Sequence, residues 1–262
     1  MAVRRWVVFV TTIVVLYVVD HAHWILARLT WYRILHQQHP FYWAESIDKV
    51  AGALLCAGTI WFLRRDGALT MARELGLRAP LFPAVWFGLF CSAPTLIGFA
   101  LTRRLSPSGP LLAILFLTVF SPIVEEIEYR GFGVRHLQRA TVWPFWIVVW
   151  PSAILFGWGH IEHGQNWQEM AGIFLLTGTG GLVFAWLLAR WENLWFPIML
   201  HIAMNLWWEL FSVARTAIGG WFPFALQTLT IVLAIAVTLR FTHEKQSKQR
   251  VIEPIPAASR PD

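Results

Sequence analysis

The sequence predicts an all-α, polytopic membrane protein with about eight transmembrane helices. Of its 262 residues, 57% are hydrophobic and only 14% are charged, and the mean hydropathy is +0.54. A soluble domain of this length is far less apolar. The apolar residues also occur in long uninterrupted stretches, which favours membrane helices over a buried soluble core.

Each predicted span follows from its length, because about 20 apolar residues are needed to cross about 30 Å of hydrocarbon. The first stretch follows a short basic amino terminus and lacks a small-residue cleavage site, so we expect a retained anchor rather than a signal peptide. The second stretch is the shortest. The eight predicted spans are 6–27, 48–64, 80–102, 109–134, 142–162, 168–190, 194–213 and 221–241.

We expect one membrane-embedded domain over residues 1–241 and a polar, disordered tail over 242–262. Lysine and arginine are more frequent at the amino terminus, in the 2–3 and 4–5 connections and in the tail than in the remaining loops, to which Lys49 and Arg103 are assigned. The positive-inside rule therefore predicts that both termini are cytoplasmic. The net charge of +6 is explained by this distribution beside a lipid bilayer, so no nucleic-acid partner is predicted.

The stretch from Ser121 to Gly133 places four charged side chains in an apolar segment, namely Glu125, Glu126, Glu128 and Arg130. An ionised group at the centre of a membrane helix costs about 2.5–3.5 kcal/mol on insertion scales, so such groups usually pair or have a function. Four-residue spacing predicts an ion pair of Glu126 with Arg130, which leaves Glu125 facing a cavity. Glu128 is expected near cytoplasmic water. In the alternative interpretation the helix ends near Val124 and all four charges are solvated.

Two further polar insertions occur in later spans. His160 follows Phe156 by four residues and lies next to Gly157 and Gly159, which permit a close helix approach. His201 and Asn205 share one face of an otherwise apolar helix. Each insertion alone is compatible with an interfacial residue or with helix–helix hydrogen bonding. Together, acid, histidine and amide on three spans are the parts of a hydrolytic site.

The depths of these groups in the membrane impose a condition on the fifth span. Glu125 lies about ten residues, or about 15 Å, from the cytoplasmic end of its span. His160 is much further along a span that begins on the same side. The two groups reach one depth only if both helices are tilted or if the fifth helix begins late, near Phe145.

The three motifs, in this order, resemble the CAAX protease and bacteriocin-processing (CPBP, or Abi) family of intramembrane proteases, which includes the type II CAAX prenyl endopeptidases. They are Glu125, Glu126 and Arg130, then Phe156 and His160, then His201 and Asn205. The resemblance covers about the fourth to seventh spans, with a protease core at about 109–213. It implies an all-α fold whose helices enclose an intramembrane catalytic cavity.

The resemblance also implies roles for these residues. Glu125 and His160 would activate the attacking water, and His201 and Asn205 would stabilise the oxyanion. Glu126 and Arg130 would support the site structurally. The predicted mechanism requires no cofactor. Zn²⁺ bound by Glu125, His160 and His201 is the alternative, since a catalytic zinc takes three protein ligands and water.

The implied activity is hydrolysis of a peptide bond in a membrane-associated or lipid-modified protein or peptide. The alternative is a non-enzymatic immunity or scaffold protein on the same fold, whose polar residues form interhelical hydrogen bonds. A transporter would show repeated halves or broken helices, and neither is visible in the sequence. The residues do not identify the substrate, its prenylation or the oligomeric state.

Overall fold

The structure is a computed structural model, and it describes residues 2–64, 67–214 and 218–252. Over this part of the chain the regular elements are helices and no strand is present. The predicted all-α class is confirmed. Six helices form the amino-terminal part: α1 (Ala2–Asp20), α2 (Ala22–Leu26), α3 (Thr30–Gln38), α4 (Phe41–Arg64), α5 (Ala68–Leu75) and α6 (Phe82–Thr102).

The carboxyl-terminal part begins with a continuous helix over 111–141, here called α7. Next along the chain come α8 (Phe145–Trp158) and a short 3₁₀ turn (Ile161–His163). Three helices follow the turn: α9 (Trp167–Trp191), α10 (Trp195–Leu210) and α11 (Trp221–Ile252). Helix α8 begins at Phe145, which is the late start named as one of the two ways to match the depths.

Helix α7 alternates between α and π geometry. Its five sections are Leu111–Leu115 (α), Phe116–Phe120 (π), Ser121–Glu125 (α), Glu126–His136 (π) and Leu137–Thr141 (α). The first π section is followed by Ser121 and then by Pro122, which has no N–H to donate. Two π sections therefore flank the turn that carries Glu125, and π segments inside α-helices frequently occur at functional sites. The alternative in which this helix ends near Val124 is wrong.

Local sequence explains where α9 begins. The side chain of Asn166 accepts a hydrogen bond from the backbone N–H of Glu169 at 3.0 Å, and the Glu169 carboxylate accepts one from the N–H of Gln165 at 2.9 Å. Both are backbone donors that a helix start would otherwise leave unsatisfied. The pair fixes the end of α9 that faces the turn after His160.

Small residues allow the central helices to pack closely. A Cβ added at Gly88 on α6 would lie 2.7 Å from the carbonyl oxygen of Met199 on α10. A Cβ added at Gly157 on α8 would lie 2.9 Å from the carbonyl oxygen of Phe174 on α9. Helix α11 is joined to α6 by Thr95, whose hydroxyl hydrogen-bonds Thr230 at 2.7 Å. These contacts fix the positions of α10, which contains His201, and of α8, whose end precedes His160.

Within the part of the chain that the structure describes, four helices are long and apolar enough to cross a membrane: Phe41–Leu63, Phe82–Thr102, Trp167–Trp191 and Trp221–Thr242. The remaining predicted spans correspond to helices that are shorter or carry charges, namely α1, α7, α8 and α10. The count of eight spans stays a prediction. Large apolar side chains such as Phe62, Phe90 and Trp146 are exposed on the outside of the bundle, as they are in a protein surrounded by lipid.

The predicted tail, 242–262, overlaps the end of α11. This helix continues to Ile252, so the first residues of the predicted tail are helical. The rest of the predicted tail, 253–262, lies outside the described residues.

Gly88→Ala is expected to lower the unfolding free energy by about 1–3 kcal/mol, because the new methyl group would overlap the α10 backbone. Thermal unfolding of the purified protein in detergent measures the effect. Gly58→Ala is the matched control, since Gly58 also lies inside a helix but has nothing within 4 Å of an added Cβ. Equal melting temperatures for the two variants would contradict the close packing of α6 on α10.

Candidate active site

The structure brings most of the predicted site residues together where α7, α8 and α10 meet. Glu125 ends an α section of α7 and Glu126 begins the following π section. His201 on α10 lies against both carboxylates. His160 follows the end of α8, and its ring lies 4.5 Å from that of Phe156. The Phe156 ring in turn lies 6.5 Å from His201, so it links the two histidines.

The carboxylate of Glu125 is held through one of its two oxygens. Its Oε1 atom accepts a hydrogen bond from Ser121 Oγ at 2.6 Å and another from Lys49 Nζ at 2.7 Å. Its Oε2 atom faces His201, whose Nε2 is 4.0 Å away. The oxygen that faces the histidine is therefore distinct from the oxygen that anchors the side chain.

Glu126 forms the ion pair that its spacing predicts. Its Oε1 atom lies 3.1 Å from Nη1 of Arg130 and 2.9 Å from Nδ1 of His201, and Glu126 and Arg130 are both almost completely buried. The Arg130 guanidinium also covers the ring of Phe156 at 4.0 Å and that of Phe184 at 5.5 Å. Aromatic faces attract a guanidinium, particularly where water is excluded.

Hydrogen bonds at Nδ1 orient both histidines. The Phe156 carbonyl accepts one from His160 Nδ1 at 2.7 Å, so a neutral His160 has a free, basic Nε2. His201 Nδ1 lies 2.9 Å from the Glu126 carboxylate, which leaves its Nε2 directed towards Glu125. In both rings Nε2 is thus the nitrogen available for chemistry.

Asn205 is bound to the backbone of α7. Its Nδ2 donates to the carbonyl oxygen of Leu117 at 3.2 Å. This carbonyl is available because Ser121 donates its N–H to Phe116 instead, and Pro122 has no N–H to offer. One of the two amide hydrogens of Asn205 is used in this bond, and the other is left for a ligand.

Lys49 was missed by the sequence analysis, which assigned it to a loop on the opposite side from the termini. It lies inside α4, within the candidate span Phe41–Leu63, and its ammonium binds Glu125. One feature of the sequence could have indicated the position of Lys49. The second predicted span begins at residue 48, so it already includes this lysine in an apolar segment. Such a lysine is expected to have a partner.

The expected position of Glu128 near cytoplasmic water is wrong. Glu128 is 1% exposed, and its Oε1 atom makes no hydrogen bond within the described residues. This oxygen lies against Gly52 of α4, in space that any larger side chain would fill. Glu128 lies in the π section Glu126–His136, and its carboxylate faces Gly52 of α4.

The predicted zinc ligands do not fit a metal ion in their present arrangement. Over residues 2–64, 67–214 and 218–252, no three His, Cys, Asp or Glu side chains are grouped closely enough to hold one. At Glu125 a cation is already supplied by the Lys49 ammonium. The zinc alternative is therefore left to experiment, and the mechanism below uses only side chains of this chain.

Two clefts lie away from this cluster. The larger has a volume of about 300 Å³ and is lined by Ser108, Trp208, Glu209, Ser212 and Ala214. The smaller, of about 60 Å³, lies beside His23 and Tyr32. Neither contains a predicted site residue, and the enclosed catalytic cavity stays a prediction.

Comparison with known proteins identifies the part of the chain that carries the site. Residues 107–207 match the sequence model of a family described as type II CAAX prenyl endopeptidase Rce1-like. This segment is Rce1-like. The Rce1-like segment contains every predicted site residue from Glu125 to Asn205, and it does not contain Lys49. The predicted resemblance to type II CAAX endopeptidases is confirmed over this segment.

One curated relative supports the same assignment. The Bacillus subtilis (strain 168) protein "Putative membrane peptidase YdiL" is 31% identical over 94 residues, which are 36% of this chain and 34% of the relative. The match thus spans about a third of the relative's length. No solved structure matches the chain. The Rce1-like segment and the long apolar helices together make this a membrane protein.

Replacing Arg130 with methionine is expected to destabilise the fold by about 3–5 kcal/mol, because the Glu126 carboxylate would stay buried without its cation. The double variant Glu126→Gln/Arg130→Met should recover most of this loss, since no buried charge is left unpaired. Chemical unfolding in detergent measures all three proteins. Arg139→Ala is the control, because Arg139 is an exposed arginine on the same helix. An Arg130→Met variant as stable as Arg139→Ala would contradict the pairing.

Proposed function

We propose that this protein is an intramembrane endopeptidase that hydrolyses a peptide bond in a membrane-associated or lipid-modified substrate. The observation that carries the proposal is the position of Glu125. Its free Oε2 atom lies 4.0 Å from His201 Nε2, while hydrogen bonds at the opposite nitrogens hold both histidines. The Rce1-like character of residues 107–207 supports this reaction class.

In the proposed mechanism Glu125 Oε2 and the free Nε2 of His160 bind the attacking water. As the water oxygen attacks the scissile carbonyl carbon, its proton moves to Glu125, which later gives it to the leaving amine. A general base in such a position typically contributes about 10²–10⁴-fold to the rate. The hydrogen bonds of Ser121 and Lys49 to Oε1 leave Oε2 free for this transfer.

The proposed oxyanion donors are His201 and Asn205. In its doubly protonated form, His201 would bond the Glu126 carboxylate through Nδ1 and donate its Nε2 proton to the developing negative charge. Asn205 would donate the amide hydrogen that Leu117 does not use. Donors fixed before the reaction stabilise the oxyanion without reorganising, and the loss of one typically costs about 10²–10³-fold in kcat.

Cleavage assays test the proposal. The purified protein in detergent is given membrane-embedded peptides and peptides with a lipid-modified carboxyl-terminal cysteine, and products are identified by mass spectrometry. Glu125→Gln should lower kcat about 10²–10⁴-fold. Glu192→Gln should leave it unchanged, since Glu192 is exposed and outside the site.

Two further outcomes of this assay are informative. Activity that is lost in chelator and restored by zinc would make Glu125, His160 and His201 metal ligands, whereas activity that persists in chelator supports a glutamate-activated water. A folded wild-type protein that cleaves neither class of peptide would favour the alternative of a non-enzymatic scaffold or immunity protein.

We also propose that both termini face the cytoplasm, because lysine and arginine are concentrated in the connections on that side. A reporter that is active only in the cytoplasm, fused after residue 252, should be active. The same reporter fused in the 218–220 loop should be inactive, because α11 separates this loop from the carboxyl terminus. The opposite pattern would reverse the topology.

A further inference from the structure

Lys49 makes a contact that no family resemblance assigns. It lies in the amino-terminal half of α4, and its Nζ atom is 2.7 Å from Glu125 Oε1. Of its side chain 26% is exposed, compared with 12% for Glu125. Lys49 is 76 residues away from Glu125 in the chain and lies outside the Rce1-like segment, 107–207. A lysine inside an apolar span is costly unless its charge is paired.

We propose that Lys49 is a positioning residue of the peptidase site, which orients the Glu125 carboxylate so that Oε2 faces the histidines. This inference rests on the proposed function. Oε1 receives two donors, Lys49 and Ser121, and these two bonds fix the plane of the carboxylate. Without Lys49 a single hydroxyl from the same helix would hold this group, and rotation could bring either oxygen to His201.

The charges around the site also require a second cation. Helix α7 buries three carboxylates within four residues, those of Glu125, Glu126 and Glu128. Arg130 neutralises Glu126 at 3.1 Å. Lys49 is the corresponding cation for Glu125, and its charge also interacts with Glu128. Buried carboxylates without cations are strongly destabilising, so the site depends on one basic residue from within α7 and one from α4.

The packing of α4 on α7 explains how Lys49 reaches the site. Lys49, Gly52 and Cys56 lie on one face of α4, at helical spacing. Gly52 leaves room for the Glu128 carboxylate, and Cys56 is buried in the same interface. The missing side chain at Gly52 lets the two helices approach one turn from Lys49, so the short ammonium contact can form.

Kinetics of Lys49→Met test the positioning role, because methionine keeps the approximate size of lysine and removes the ammonium. We expect kcat to fall about 100-fold, as misplacement of a catalytic group does, while KM changes little. Thr59→Val is the control on the same helix, since the Thr59 hydroxyl bonds only its own helix at Leu55 in the described contacts. A Lys49→Met variant with the kcat of the wild type overturns the proposal.

Chemical rescue separates positioning from general damage to the fold. Lys49→Cys is treated with 2-bromoethylamine, which alkylates the thiol with loss of bromide and rebuilds a lysine-like ammonium. The treated variant should recover most of the lost kcat. Treated wild type controls for modification of Cys56 and Cys91, both of which are buried. Alkylation confirmed by mass spectrometry without recovery of kcat overturns the proposal.

A double-mutant cycle tests the contact without using activity. Lys49→Met should lower the melting temperature more in the wild-type background than in Glu125→Gln, because the variants remove the same ion pair. Equal effects in both backgrounds overturn the proposed contact.

A wild type that cleaves nothing would count against the proposed function, whereas an inactive Glu125→Gln beside a fully active Lys49→Met would count against the role of Lys49 alone.

Discussion

The buried ion pair of Glu126 and Arg130 is the interaction on which the rest of the site depends. Removing two charges from water is expensive, and their attraction compensates only when geometry and further contacts are good. Here Phe156 and Phe184 cover the guanidinium, and His201 shares the carboxylate. The pair therefore fixes α8, α9 and α10 around one point of α7. The same carboxylate that neutralises Arg130 determines which nitrogen of His201 faces Glu125.

The acidic side chains of α7 contact different neighbours around the helix. Glu125 is directed towards His201, Glu126 towards Arg130 and Glu128 towards α4. Successive residues of an α-helix point in directions about 100° apart, so neighbouring acidic residues reach different elements, each with its own surroundings. Three carboxylates can consequently be buried within four residues, although like charges at this spacing repel one another.

The sequence was sufficient for the parts of the site that repeat a local pattern. Glu126 and Arg130 are four residues apart on one helix, and their pairing follows from that spacing. The late start of α8 at Phe145 was one of two alternatives that matched the depths of Glu125 and His160, the other being a tilt of both helices. Lys49 and Glu128 could not be placed in this way. Their positions depend on how α4 packs against α7, and no local spacing encodes a contact between residues 76 positions apart.

The number of spans shows a similar limit. Hydropathy identifies a stretch such as 221–241 because nearly every residue there is apolar, and the structure has a long helix at this position. It overestimates the lengths of α8 and α10, which end at Trp158 and Leu210 rather than at residues 162 and 213. A polar or glycine-containing insertion shortens the apolar run around it, so spans interrupted in this way are the hardest to recognise by length.

The missing amide hydrogen of Pro122 helps to position Asn205. Because residue 122 has no amide hydrogen, the carbonyl of Leu117 stays open and accepts the amide of a different helix. The position of Asn205 thus depends partly on a backbone atom of α7 and does not depend on the identity of the side chain at residue 117. Any other amino acid at position 122 would bring a backbone N–H that competes with the Asn205 amide for that carbonyl.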